Sequence, residues 1–212
     1  MSRGRFITFE GGEGTGKSTQ ARILADRLRA GGLDVVTTRE PGGSVGAEAL
    51  RKLLLQGEAD RWSAVSETLL MYAARADHLE KLIRPALDRG SWVISDRFLD
   101  STPAYQGAGG GAPPGLIAEL EAAVVGPDRP ALTLILDVPV QVGLERALGR
   151  DSLDRMESRD RQFHERLRAA FLEIAAHEPQ RCALVDAVPG VEAVAAAIWE
   201  IVAGRLEMVL TA

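Results

Sequence analysis

The sequence predicts an α/β protein in which a parallel sheet is covered by helices, and three observations lead there. Five apolar, β-branched stretches recur at 6–9, 34–38, 91–95, 131–137 and 182–186. Helical periodicity fills most of the intervals between them, the alternation expected of parallel strands joined by crossover helices. A glycine-rich turn follows the first stretch and leads directly into a helical segment. In such sheets ligands bind beyond the carboxyl ends of the strands, so the informative residues are those that follow each strand.

The first strand, FITF at 6–9, runs into Gly11, Gly12, Gly14 and Gly16 and then into Lys17 and Ser18. Gly11-x-x-x-x-Gly16-Lys17-Ser18 matches the phosphate-binding loop pattern in the strand-to-helix setting where that pattern has mechanical meaning. Glycines let the backbone curl so that successive N–H groups face phosphate oxygens, and the helix N-terminus adds positive potential. Lys17 is placed to reach β- and γ-phosphates, and the Ser18 hydroxyl to ligate Mg²⁺. A nucleoside triphosphate is the expected ligand.

The second strand, at 34–38, is followed by REPGG, which opens on Arg39; Arg75 lies in the helical stretch 65–89. The third strand, at 91–95, ends in Asp96, Arg97 and Phe98. Arg39, Arg75 and Arg97 form a candidate second anion site, since a planar guanidinium grips phosphate oxygens bidentately. Residues 107–115, GAGGGAPPG, hold five glycines and two prolines, a composition expected to form a loop rather than a helix or central strand. The fourth strand, at 131–137, precedes residues 146–161, where five arginines alternate with four acidic residues. That run reads either as a solvated helical face or as a mobile lid. After the fifth strand, at 182–186, residues 191–204 show apolar positions at helical spacing and are expected to pack on the sheet.

Composition narrows the function. At 212 residues one domain over 1–212 is expected, and 46% hydrophobic with 26% charged residues is the balance of a globular protein. No uninterrupted apolar run approaches the ~18 residues of a membrane helix, and MSRGRF leaves no room for a signal peptide, so a cytoplasmic protein without a membrane partner is expected. The net charge of −5 argues against broad nucleic-acid binding. Cys182 is the single cysteine, which rules out an intramolecular disulfide, and His78, His164 and His177 lack metal-ligand spacing. Of 25 basic residues only Lys17, Lys52 and Lys81 are lysines.

The loop is shared by hydrolytic switches and motors and by kinases. The chain contains no asparagine, which excludes the usual Asn-Lys-x-Asp guanine-reading motif. A motor-type ATPase is expected to carry an acidic pair where Arg97 follows Asp96. An acceptor substrate with its own phosphate is favoured.

FEGGEGTGKST, TREPGG, LLMYAARADHL, WVISDRF, STPAYQG and GRDSLDRME, in this order and spacing, closely resemble bacterial thymidylate kinases, a family of P-loop nucleoside monophosphate kinases. The resemblance spans nearly the whole chain. It implies a five-stranded parallel sheet flanked by helices on both faces, a short arginine-rich lid at about 146–161, and transfer of the γ-phosphate of ATP to dTMP in dTTP biosynthesis. ATP would lie on Gly11, Gly12, Glu13, Gly14, Thr15, Gly16, Lys17, Ser18 and Thr19, with Arg146 and Arg155 contributing. Mg²⁺ would be held by Ser18 and, through water, by Asp96. Arg97 and Arg39 would bind the dTMP phosphate, with Glu13 positioning the acceptor directly or through Arg97. Arg75 would donate to thymine O4, and Ser101, Thr102 and Gln106 would line the pocket. Tyr105 would lie against the deoxyribose and exclude a 2′-hydroxyl. Arg150 is favoured over Arg155 as the catalytic lid arginine. Met71 stands where the family usually has a phenylalanine stacked on thymine, so either Met71 or Tyr72 covers the base; Phe98 replaces the usual Tyr or His. A homodimer is implied by the family.

Overall fold

The computed structural model describes residues 3–58, 60–148, 155–156 and 159–206. Five strands, β1 (Phe6–Glu10), β2 (Val35–Arg39), β3 (Trp92–Asp96), β4 (Leu132–Asp137) and β5 (Cys182–Asp186), form one sheet in the order β2-β3-β1-β4-β5. Every pairing is parallel, as the alternation of strands and helices predicts. Each strand lies within a residue of its apolar stretch in the sequence. Register aligns the strand ends, with Arg39 opposite Asp96 and Asp96 opposite Phe9, so the segments after β1, β2 and β3 open on one side.

Side chains alternate across β1. Ile7 and Phe9 face a core formed with α1 (Lys17–Ala30) and α8 (Val191–Arg205), where Val194, Ile198 and Val202 are buried. The C-terminal apolar stretch packs on the sheet as its spacing predicts. Phe6, on the opposite face, meets α3 (Ala64–His78) and its continuation. A third cluster lies under α7 (Arg161–His177), where Phe163, Leu167 and Phe171 pack on Ile135 and Cys182. Helices therefore cover both faces, which an all-parallel sheet requires.

Three segments depart from simple expectation. The helical stretch 65–89 is α3 followed by a π-helical turn, Leu79–Ile83, and then by α4 (Arg84–Asp88). Pro85 explains the widening, because it lacks an N–H and its ring displaces the preceding turn. The expected loop 107–115 is largely helical at its ends: a second π-helical turn spans Pro103–Gly109, and Pro114 opens α5 (Pro114–Val124). Proline is tolerated at a first helical position, where its missing donor would be unpaired anyway. Within 146–161, Arg146 belongs to α6 (Val140–Leu148), and Asp160 caps α7 by accepting from Phe163 N at 2.7 Å. Arg150 lies outside the described residues. A further helix, α2 (Val45–Leu55), follows the REPGG turn and is capped by Ser44.

Candidate active site

The glycine loop joins β1 to α1 as the spacing predicts. Gly16 adopts a left-handed conformation, φ 90°, and gives α1 no side-chain cap, and no acidic residue follows in the first turn. The leading amides are thus left for an anion. A Cβ at Gly14 would stand 1.9 Å from Gly143 O of α6, so only glycine lets the loop lie this close to that helix. Lys17 Nζ donates to Gly12 O at 2.6 Å and reaches Thr15 Oγ1 at 3.3 Å. Burial and the Arg97 charge push the Lys17 ammonium down to about 8, against the opposing pull of Glu13, Asp96 and Glu10.

Seating a triphosphate against Lys17 favours its charged form. ATP binding is therefore expected to take up more protons at about pH 9 than at about pH 7. Titration calorimetry in buffers of different ionisation heat reads this, and a buffer-independent heat at both values would count against it.

The turn after β3 supplies the second half. Arg97 has φ 70°, and non-glycine residues in this region are held there by their surroundings. Its guanidinium donates to Gly11 O at 3.0 Å and Glu13 Oε1 at 2.9 Å, and lies 4.7 Å from the Tyr105 ring centre. The Tyr105 hydroxyl donates to the same Glu13 oxygen. Burial alone would raise Glu13, but the Arg97 and Lys17 charges and the Tyr105 bond outweigh it and hold the carboxyl at about 2. Burial also raises the Tyr105 phenol well above its ordinary value, which keeps it a donor. Ser18 donates to Asp96 at the mouth of the loop.

Glu13, Lys17, Ser18, Asp96, Arg97 and Tyr105 line one cavity of about 480 Å³. Gly14, Gly16, Lys17, Ser18, Thr19 and Arg146 stand at its donor side, while Arg39, Met71, Arg97, Ser101 and Tyr105 stand at the other. Glu13 lies where the two meet. Arg146 donates to the carbonyls of Ala187 and Val188 and so braces α6 against the segment after β5. Arg39 is more than half exposed and pairs with Glu48. The 480 Å³ cavity also includes Arg51, Leu54, Leu55 and Met156, which the sequence did not single out. Arg51 donates to Pro41 O, and its signal was its place on the helix directly after REPGG.

Four expected acceptor residues stand behind this wall. Arg75 is buried, with bonds to Glu40 Oε2 at 2.8 Å, Thr102 Oγ1 at 2.9 Å and Phe98 O at 2.8 Å. Tyr72 packs in the core with its hydroxyl 3.3 Å from Ile117 O, so Met71 is the one of the pair that reaches the cavity. Gln106 donates to Glu67. Arg155, expected at the ATP phosphates, instead donates to Leu54 O and Glu67, on the acceptor side. The cause is electrostatic: the buried Glu67 carboxylate needs a cationic partner.

Hard oxygen donors at Ser18 and Asp96 suit Mg²⁺. Among the described residues no group of three or more His, Cys, Asp or Glu gathers to hold a metal.

The protein-family model described as Thymidylate kinase matches residues 9–198. The chain is 62% identical over 206 residues to a thymidylate kinase of Caulobacter vibrioides, covering 97% of this chain and 99% of that one. It is 55% identical over 207 residues to one of Bradyrhizobium sp. (strain ORS 278), covering 96% and 92%. The crystal structure of thymidylate kinase from Ehrlichia chaffeensis superposes with a TM-score of 0.78 at 34% identity, covering 94% and 99%. A glycine loop facing an arginine-lined pocket across one cavity, carried on this sheet and matched over nearly its whole length, places the chain in the thymidylate kinase family.

Proposed function

We propose that this protein transfers the γ-phosphoryl group of ATP to the phosphate of dTMP, giving dTDP and ADP for dTTP biosynthesis. The observation that carries this reading is the single cavity with Lys17 and the open loop amides on one side and Arg97, Arg39 and Tyr105 on the other. Two polyanions must approach in line while charge spreads over the transferred group, so catalysis rests on positioning and cation placement. Gly11 to Thr19 seat the ATP phosphates, and Lys17 sets the reacting end. Arg97 and Arg39 hold the dTMP phosphate, joined by Arg51. Glu13 locks Arg97 and Tyr105 together beneath the acceptor. Ser18 and Asp96 are the residues that would hold Mg²⁺, which would neutralise phosphate charge when bound.

Met71 covers the thymine face, and Arg75 meets O4 from behind it, with Thr102 as its support, Gln106 held by Glu67 beside the pocket and Tyr72 as core. The segment 146–161 serves as the lid of a single domain. Arg150 completes the phosphate cage, Arg146 braces the adenosine end, and Arg155 turns from Glu67 toward the donor when the lid closes. Closure excludes water and limits ATP hydrolysis.

A coupled ADP-release assay with dTMP, dUMP, UMP, CMP, AMP and GMP tests the assignment. Turnover stimulated by dTMP supports it; turnover stimulated by another monophosphate reassigns the acceptor, and acceptor-independent turnover marks an ATPase switch. Tyr105→Ala is expected to reduce the preference for dTMP over its ribose analogue by about tenfold, and an unchanged ratio removes Tyr105 from that role.

No helix among the described residues is long and apolar enough to cross a membrane. A cytoplasmic location suits the buried free thiol of Cys182. A homodimer suits α3, whose outer face presents Val65 and Leu69 at 41% and 47% exposure one turn apart. Light scattering should return the mass of two chains, and a single-chain mass would oppose it.

A further inference from the structure

Glu10 is the last residue of β1 and is fully buried, a rare state for a carboxylate. The two-residue period of the strand puts it on the same face as Phe6 and Thr8, beneath the turn that follows β3. Its Oε1 accepts from the backbone N–H of Phe98 at 2.7 Å and of Ser101 at 3.2 Å, and its Oε2 lies 2.7 Å from the Ser101 hydroxyl. All three partners belong to the turn that begins at Arg97. That turn carries the left-handed Arg97 backbone, whose N–H continues the ladder to Phe9 O at 2.8 Å. From the other side Arg75 holds the Phe98 carbonyl. Glu10 itself does not line the cavity.

We propose that Glu10 is a positioning residue for the acceptor, holding the strained turn that aims Arg97 across the glycine loop. This rests on the assignment of the dTMP phosphate to Arg97. Arg97 also donates to the carbonyl of Gly11, the residue after Glu10, so one point on β1 sets the spacing between donor loop and acceptor arginine. Among the described residues, the hydrogen bonds of the Glu10 side chain go to the acceptor turn and none goes to the glycine loop. Oε1 accepts from both amides whether or not the acid is protonated, so an amide of the same shape can replace it.

The test compares Glu10→Met, Glu10→Asp and Glu10→Gln in steady-state kinetics, with thermal melts to confirm folding. Met removes the acceptor and Asp withdraws it by one methylene. Each is expected to raise KM for dTMP about tenfold or more while leaving KM for ATP within about twofold, since an unpaired buried N–H is costly. Gln is expected to restore near-normal values. In an Arg97→Ala background the Met substitution is expected to add less than about twofold. If Met fails to fold, Asp carries the comparison. Folded variants with an unchanged dTMP KM, an equal rise in ATP KM, or full additivity with Arg97→Ala would overturn the proposal. An unchanged dTMP KM in Arg97→Ala alone would instead overturn the acceptor assignment.

Discussion

Lys17→Ala is expected to lower kcat/KM for phosphoryl transfer by about a thousandfold or more, with a change in melting temperature of no more than about 2 °C. The asymmetry follows from what the side chain touches. Among the described residues, the hydrogen bonds of its Nζ go to Gly12 O and Thr15 Oγ1 within its own loop. Burial already pushes the ammonium down to about 8, so removing it relieves a desolvated cation in the free protein. In the reacting complex the same charge faces oxygens whose negative charge grows toward the transition state, and there its loss is uncompensated. The ADP-release assay with dTMP, run beside a thermal melt, reads both quantities. Retained transfer in a destabilised variant would show that Lys17 serves the fold and not the chemistry.

Arg97→Ala is expected to be costly on both counts. Two charge-assisted bonds to the acceptor phosphate, at ~2 kcal/mol each, correspond to a loss of about a thousandfold in kcat/KM for dTMP. The variant also leaves Glu13 buried without its guanidinium partner, which costs about 3 kcal/mol of stability at neutral pH. The sign with pH is defined. Glu13 is held at about 2 in the folded protein, below the ordinary carboxylate value of 4.5, so its favourable contribution is present above 4.5 and fades as pH falls toward 2. The stability gap between the wild-type protein and Arg97→Ala should therefore be widest near pH 7 and narrow below about pH 4.5. Denaturant melts across that range measure it. A gap that stays constant or widens in acid would show that the Glu13–Arg97 pair does not supply the difference.

Much of this architecture is legible residue by residue along the chain. Strand period, β-branching and apolar runs are properties of neighbours, and they located all five strands to within a residue. The glycine loop was equally plain, because a turn that must bare its amides tolerates little besides glycine at a few spaced positions. Arg39 and Arg97 were readable as strand-end cations and stand at the cavity. Residues 107–115 misled because proline and glycine disfavour helix interiors while serving helix starts and widened turns, and composition does not say which is at hand. Tyr72 and Met71 are adjacent in sequence, yet a helix points them about 100° apart, and only Met71 faces the cavity.

What chain order settles, then, is a five-stranded α/β frame with a phosphate loop after its first strand, since each of these depends on residues a few positions apart. Packing alone settles which of 22 arginines become ligands and which become braces. Glu13 and Arg97 meet across a sequence separation of 84 because β1 lies beside β3 in the sheet, and Arg75 is drawn inward because Glu40 needs a buried partner. Such contacts are made by strand order and by the cost of leaving a buried charge unmatched, and neither quantity is written in local spacing.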